Sequence, residues 1–174
     1  MDVDQPNSPR PKLALFGAVV LLVVLADQFT KRWALESLTE GESVDVLGSV
    51  LQFTLYFNPG AAFGTGAGYT LLLSLVAIGA SIALVFLAKQ LHDPVWTVGL
   101  GLFLGGALGN LIDRIFREPG ILKGHVVDFI NYNGWFVGNV ADIALTLAAI
   151  MVVMRSWQGI KLDGTRDVTE SSTD

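Results

Sequence analysis

Four long apolar runs organise this chain. Two of them carry no charge, Thr70–Ala88 and Val95–Ile112, and each is close to the roughly 20 residues a helix needs to cross hydrocarbon. A third extends from Leu13 to about Ala34, with Asp27, Lys31 and Arg32 in its last turns. The fourth extends from about Phe136 to Trp157, with Asp142 in its first turns. All four are predicted to be membrane-spanning helices, and an even number of spans puts both termini on one side. The expected fold class is therefore membrane all-α, a four-transmembrane-helix bundle.

The connection Glu36–Gly68 breaks that pattern. Leu51, Phe53, Leu55 and Phe57 alternate with Gln52, Thr54, Tyr56 and Asn58, the period of a strand with one apolar and one polar face. Val44 and Val46 precede it and Gly48-Ser49 can turn the chain, so a hairpin or small β-sheet is expected between helices 1 and 2. Its apolar face either meets lipid or substrate or covers the helix ends. Asn58-Pro59-Gly60-Ala61-Ala62-Phe63-Gly64 follows. There Gly60 and Gly64 permit unusual dihedrals, and Ala61, Ala62 and Gly64 leave room for a bulky group. On the third helix Gly101, Gly105, Gly109 and Asp113 form one ridge, beside a second made of Leu102, Gly106, Asn110 and Arg114. Small residues at this spacing let helices pack closely in lipid. Asn110, Asp113 and Arg114 continue the packed ridges and so face the protein interior.

Composition agrees with a polytopic membrane protein: 52% of residues are hydrophobic and 16% charged, a balance far from that of a soluble domain. Arg10 and Lys12 precede the first apolar run as in a secretory signal. However, a small-x-small cleavage site is lacking and Asp27-Gln28 interrupts the run, so it reads as a retained anchor. The chain has no cysteine, which excludes disulfides, thiolate metal sites and a Cys nucleophile. His92 and His125 are too few for a His-rich metal site, so no metal or cofactor is expected. The net charge of −5 comes largely from the tails and argues against nucleic-acid binding. Residues 1–11 and 158–174 are expected to be disordered, flanking a single domain of 12–157. Orientation is not settled by basic residues. Arg10, Lys12, Lys89, Arg155, Lys161 and Arg166 on one side nearly balance Lys31, Arg32, Arg114, Arg117 and Lys123 on the other.

Candidate chemistry lies in the acids. A charged Asp within a membrane helix costs roughly 2.5–3.5 kcal/mol on insertion scales, so Asp142 calls for a reason beyond packing. Span parity gathers Asp27, Asp113, Asp128, Asn139 and Asp142 at one membrane surface. Asp128 is flanked by Val127, Phe129 and Ile130, and Asn139, Asp142 and Thr146 share a helix face. Two carboxylates held close in a low-dielectric site share one proton, so one can activate water while the other protonates. Asp128 and Asp142 are the best pair, having apolar flanks and no adjacent cation. Asp113 beside Arg114, and Asp27 one turn before Lys31, are expected to stay ionised and hold structure. Arg114 either neutralises a site carboxylate by bidentate bonding or forms a structural ion pair with Asp113. His125 is read as a solvated loop residue. The pattern predicts an aspartic hydrolase at the bilayer edge. A proton-coupled small transporter or channel using the same acids is the alternative. A serine protease lacks support, since Ser74 and Ser81 lie in a span without Lys or His and no Gly-x-Ser-x-Gly occurs.

Five blocks in order carry a family resemblance: Asp27-Gln28-Phe29-Thr30-Lys31, Asn58-Pro59-Gly60-Ala61-Ala62-Phe63-Gly64, Gly105–Arg114, Val127-Asp128-Phe129 and Asn139-Val140-Ala141-Asp142. Together they make the chain resemble the lipoprotein signal peptidases, or type II signal peptidases. The resemblance implies an aspartic endopeptidase of the bacterial inner membrane. Such enzymes cut signal peptides from prolipoproteins just before a cysteine carrying diacylglycerol, so prolipoprotein and membrane lipid are the implied partners. It assigns Asp128 and Asp142 to the catalytic dyad. Asn58, Gly60, Asn110, Asp113, Arg114 and Asn139 fall to the lining and support of the site, and Asp27 to the first acidic block. It also implies cytoplasmic termini, a site toward the outer leaflet and an extracytoplasmic sheet. Two departures stand out: Arg117–Leu122 lengthens a connection, and Gly138 occupies a position usually aromatic in the family.

Overall fold

The structure, a computed structural model, describes residues 10–60 and 67–166. The expectation of room at Ala61, Ala62 and Gly64 therefore lies outside the described residues. Helices α1 (Leu13–Ser37), α2 (Thr70–Leu87), α3 (Pro94–Phe116) and α4 (Val140–Trp157) realise the four apolar runs. Each is long and apolar enough to cross a membrane. Helix α3 starts where Asp93 caps it, its carboxylate accepting from the Val95 and Trp96 amides at 2.9 Å. Pro94 follows at a position with no intrahelical N–H bond to lose. Helix α4 begins at Val140 rather than near Phe136, because Asn139 caps it and the residues before it pair as a strand.

Helix α3 is the centre of the bundle: half of its apolar window is buried, against 17% for each of the other three helices. Its two glycine ridges face different neighbours. A Cβ at Gly105 would lie 2.7 Å from Val23 Cβ of α1, and one at Gly106 would lie 2.7 Å from the Ala141 carbonyl of α4. The ridges serve close helix approach, as their spacing predicts.

Strands β1 (Ser43–Leu47) and β2 (Leu51–Asn58) form the expected hairpin. The sheet does not stop there. β3 (Val126–Asn131) pairs antiparallel with β2, and β4 (Val137–Gly138) with β3, giving the order β1-β2-β3-β4. Half of its strands thus come from the connection between α3 and α4, which sequence reading treats as loop. Leu55 of β2 and Val127 and Phe129 of β3 pack with Ala34 of α1. The Trp33 ring meets Phe53 edge-on at 5.1 Å and Phe129 at 6.0 Å. The apolar face therefore covers the helix end, the second of the two options, and Asn58 and Asp128 project from the other face.

At the far end of the bundle the Lys12 amide donates to the Leu91 carbonyl, and the His92 and Asp93 amides to the Leu162 carbonyl. The Trp96 indole donates to the Ile160 carbonyl at 2.7 Å, and Arg155 pairs with Asp93 at 2.8 Å. Residues 158–166, expected to be disordered, are thereby held against the α2–α3 turn. Leu162 packs against the apolar core around Leu91 and Leu100, an anchor that a merely polar tail would lack. Lys12 and this C-terminal segment lie at one end, the sheet at the other. Gly105→Ala should cost about 1–3 kcal/mol, because the Val23 Cβ has no flexible end with which to give way. Gly79→Ala, which meets nothing within 4 Å, should be neutral or stabilising. Thermal unfolding in lipid or detergent checks the contrast.

Candidate active site

The N-terminus of α4 assembles the site. Asn139 and Asp142 form a capping box: the Asp142 amide donates to Asn139 Oδ1 at 3.0 Å, and the Asn139 amide to Asp142 Oδ2 at 3.1 Å. A helix N-terminus favours negative charge, so Asp142 sits at the one place on α4 where an acid costs least. It occupies the third helical position rather than a mid-membrane one. The same first turn is tied down from α1, where Asp27 Oδ1 accepts the Ala141 amide at 3.0 Å.

Asn139 is also the hinge between the two acids. Its Nδ2 donates to Asp128 Oδ1 at 2.7 Å and to Asn110 Oδ1 at 3.1 Å. Asn110 Nδ2 in turn donates to Asp142 Oδ1 at 3.0 Å. From β2, Asn58 Nδ2 donates to Asp128 Oδ2 at 2.9 Å, while its Oδ1 accepts the Gly60 amide at 2.9 Å. Each carboxylate thus has both oxygens held by N–H donors. Burial first, and then the neighbouring Asp142 charge, push Asp128 up to about 7. The hydrogen bonds from Asn58 and Asn139 and the charge of Lys31 oppose that rise.

Asp128 and Asp142 line a common cavity of about 50 Å³, together with Asn58, Gly60, Asn110 and Arg114. That is ample for a water, which needs roughly 10–15 Å³ of such space and two to four polar partners. A larger groove of about 390 Å³ opens alongside, walled by Tyr132, Phe136, Ile143 and Leu147. Asp142 and Phe136 line both spaces, so an apolar trough and a polar cavity meet at one carboxylate. The Phe136 ring takes the room beside Gly138, where a Cβ would lie 2.6 Å from it. That contact accounts for the glycine before Asn139.

The supporting charges differ in part from expectation. Lys31 is fully buried and bonds Asp27 Oδ2 and Asp113 Oδ2 at 2.8 Å each and Asn110 Oδ1 at 2.9 Å. Asp113 also holds Arg117 at 2.6 Å and the Val127 amide at 3.2 Å, fastening α3 to the strand that carries Asp128. Asp27 and Asp113 thus tie α1 and α3 to the elements around them. Arg114 is not paired with Asp113, nor with any carboxylate among the described residues. Its neighbour in sequence points to Lys31 and Arg117 instead, and Arg114 Nη2 donates to the Gly60 carbonyl. Arg114 Nη1 is buried and has no hydrogen-bond partner among the described residues.

Sequence reading missed four contributors. Lys31 was seen only as a neighbour of Asp27. Arg117, read as the start of a lengthened loop, holds Asp113. Tyr132 and Phe136, stacked at 6.0 Å between centroids, carry no signal beyond aromaticity. His125 faces a different groove with Glu40 and Glu118. The Ser74 and Ser81 hydroxyls donate to backbone carbonyls, those of Thr70 and Leu122 for Ser74 and of Ala77 for Ser81. The acids collect at one end of the bundle and form no path across it.

Comparison with known proteins shows the family and the fold. Residues 19–158 match the family model described as signal peptidase (SPase) II. The lipoprotein signal peptidase of Rhodococcus jostii (strain RHA1) is 46% identical, the match covering 95% of this chain and 83% of the relative. That of Mycobacterium tuberculosis (strain H37Rv) is 42% identical, over 91% and 80%. A solved structure described as a bacterial membrane enzyme superposes with a TM-score of 0.77 at 29% identity, covering 86% of this chain and 92% of that one. A second, described likewise, gives 0.74 at 30% identity, over 86% and 96%. By fold and site the protein is a multi-pass hydrolase of a bacterial inner membrane. Within that class the chain belongs to the signal peptidase II family, and it is a peptidase.

Asn139→Ala should lower stability by about 1 kcal/mol for the lost cap, and further for the acceptors it strands on Asp128 and Asn110. Thermal unfolding should show a larger loss than for Thr146→Ala, whose hydroxyl serves only the Asp142 carbonyl.

Proposed function

We propose that the protein removes signal peptides from diacylglyceryl-modified prolipoproteins, as an aspartic-type endopeptidase with Asp128 and Asp142 as its dyad. The observation that carries this reading is the shared cavity: a buried carboxylate, pushed up to about 7, and a half-buried one beside room for a water. In the resting pair Asp128 holds the proton and Asp142, at the helix N-terminus, is ionised. Water attacks the scissile carbonyl carbon and gives a proton to Asp142. The carbonyl electron pair moves onto oxygen, where the unspent Nη1–H of Arg114 and the cavity amides can receive it. The C–N bond then breaks as Asp128 delivers its proton to the amine nitrogen. One carboxylic acid and one amine leave, and a proton passes between the two acids to reset the pair.

The apolar groove beside Asp142 suits a lipid-modified substrate, whose acyl chains stay in the bilayer while the peptide bond reaches the cavity. Family membership supports cytoplasmic termini and a site toward the outer leaflet. The clustering of Lys12 and the C-terminal segment at the end opposite the sheet is consistent with it. The alternative of a proton-coupled transporter has no support in the family or in the one-ended placement of the acids.

Asp128→Asn and Asp142→Asn should each cut processing of a purified, diacylglyceryl-modified prolipoprotein by about 10²–10⁴-fold or more, with insertion intact. Full cleavage by either variant removes that residue from the dyad. Because the active pair keeps one proton, kcat/KM should fall as pH rises through about 7, where Asp128 gives it up. A rate that climbs steadily far into the alkaline range would contradict this assignment. Ile143→Trp, which fills the groove, should raise KM for the lipidated substrate by about tenfold, the scale of one or two buried methylenes. Its effect on kcat should be smaller, as steady-state kinetics would show.

A further inference from the structure

We propose that Lys31 is a positioning residue for the dyad: through Asn110 it fixes which way two amides point, and so keeps both acids facing N–H donors. This rests on the dyad reading above and deepens it. Holding α1 to α3 requires only the bond from Lys31 to Asp113, with Asp27 of α1 itself taking a second donor. The third donor goes to Asn110 Oδ1, which belongs to the wall of the site.

An ammonium has three donors and no acceptor. Asn110 must therefore turn its oxygen toward Lys31, which leaves its Nδ2 for Asp142 Oδ1. The same oxygen accepts Asn139 Nδ2, so Asn139 must turn its own oxygen toward the Asp142 amide. One cation thereby orients both amides. Asp142 then receives Asn110 Nδ2 and the Asn139 backbone amide, and Asp128 receives Asn139 Nδ2, so the relay offers both acids N–H donors, which favour the ionised form. Without Lys31, Asn110 is free to flip and present its oxygen to Asp142, a contact that needs the proton there. The proton would then rest on the acid meant to accept one from water. The charged groups facing the pair are Lys31 and Asp27 from α1, and Asp113 and Arg114 from α3. Among them, only Lys31 reaches the dyad through a single shared amide.

The test is the pH profile of kcat/KM for cleavage of a diacylglyceryl-modified prolipoprotein by the full chain in lipid. Lys31→Met should move both limbs upward by about one pH unit, the scale of one nearby charge, with kcat falling more than KM rises. Lys31→Gln, which can still donate to Asn110 but carries no charge, should lie between it and the wild type. Asp27→Asn, which keeps the Lys31–Asn110 bond, should lower thermal stability without moving the limbs upward. If Lys31→Met does not accumulate, Asn110→Ser breaks the relay with the ion pairs intact and should shift the limbs in the same direction. Limbs that stay in place in Lys31→Met, or in Asn110→Ser, while stability falls would make Lys31 purely structural and overturn the proposal. Inactive Asp128→Asn and Asp142→Asn in the same assay separate that result from failure of the dyad reading.

Discussion

The buried ammonium of Lys31 is the constraint on which the outer end of this bundle depends. A lone charge there would be prohibitive, and a single ion pair would barely offset its desolvation. Lys31 is instead shared between Asp27 and Asp113, and Arg117 takes the second oxygen of Asp113. The four charges sum to zero within one hydrogen-bonded group. From that group Asp27 reaches the first turn of α4 and Asp113 reaches the amide before Asp128. The elements bearing the two site acids are therefore fixed by one electrostatic knot, itself seated where glycines let α1, α3 and α4 come close. Gly109 shows how tight the fit is, since a Cβ there would lie 2.7 Å from an Asp27 oxygen.

The second economy is at the start of α4. A transmembrane helix must satisfy its free amides at each end, because nothing in hydrocarbon can do so. Here Asn139, Asp142 and Asp27 supply that satisfaction, and two of these three side chains, Asn139 and Asp142, also line or brace the cavity. A carboxylate that would be costly in the middle of the helix becomes a capping group at its end. The site is thus built from groups that the fold needs in any case.

Much of this was legible in the chain. Span parity placed Asp27, Asp113, Asn139 and Asp142 at one end without coordinates. The four-residue glycine ridges told which faces of α3 are packed, and the alternation at Leu51–Asn58 told of the hairpin. The remainder was hidden for identifiable reasons. Strand β3 is buried almost throughout, so Val126–Asn131 shows no polar alternation to mark it. Phe136, Val137 and Gly138 look like helix until Asn139 is seen as a cap. Adjacency in sequence suggested Asp113 with Arg114, yet consecutive helical residues point about 100° apart, and it is Arg117, one turn on, that reaches Asp113. No periodicity could show that Lys31 spends its third donor on Asn110, because that bond crosses between α1 and α3.

The separation of water from lipid follows from where the two spaces meet. Peptide hydrolysis in a membrane needs water at the scissile bond but not along the acyl chains, and each need calls for opposite walls. In this fold the polar cavity is walled by amides, acids and Arg114 delivered by β2, β3 and α3, while the trough is walled by side chains of α4 and the β3–β4 connection. Phe136 and Asp142 lie on the boundary. Rotating α4 by even a fraction of a turn would carry Asp142 into one space or the other, and its capping box with Asn139 resists that rotation. In the proposed mechanism the cap is thus part of the chemistry. It keeps one carboxylate at the seam where a lipid-anchored peptide bond and a water can both reach it.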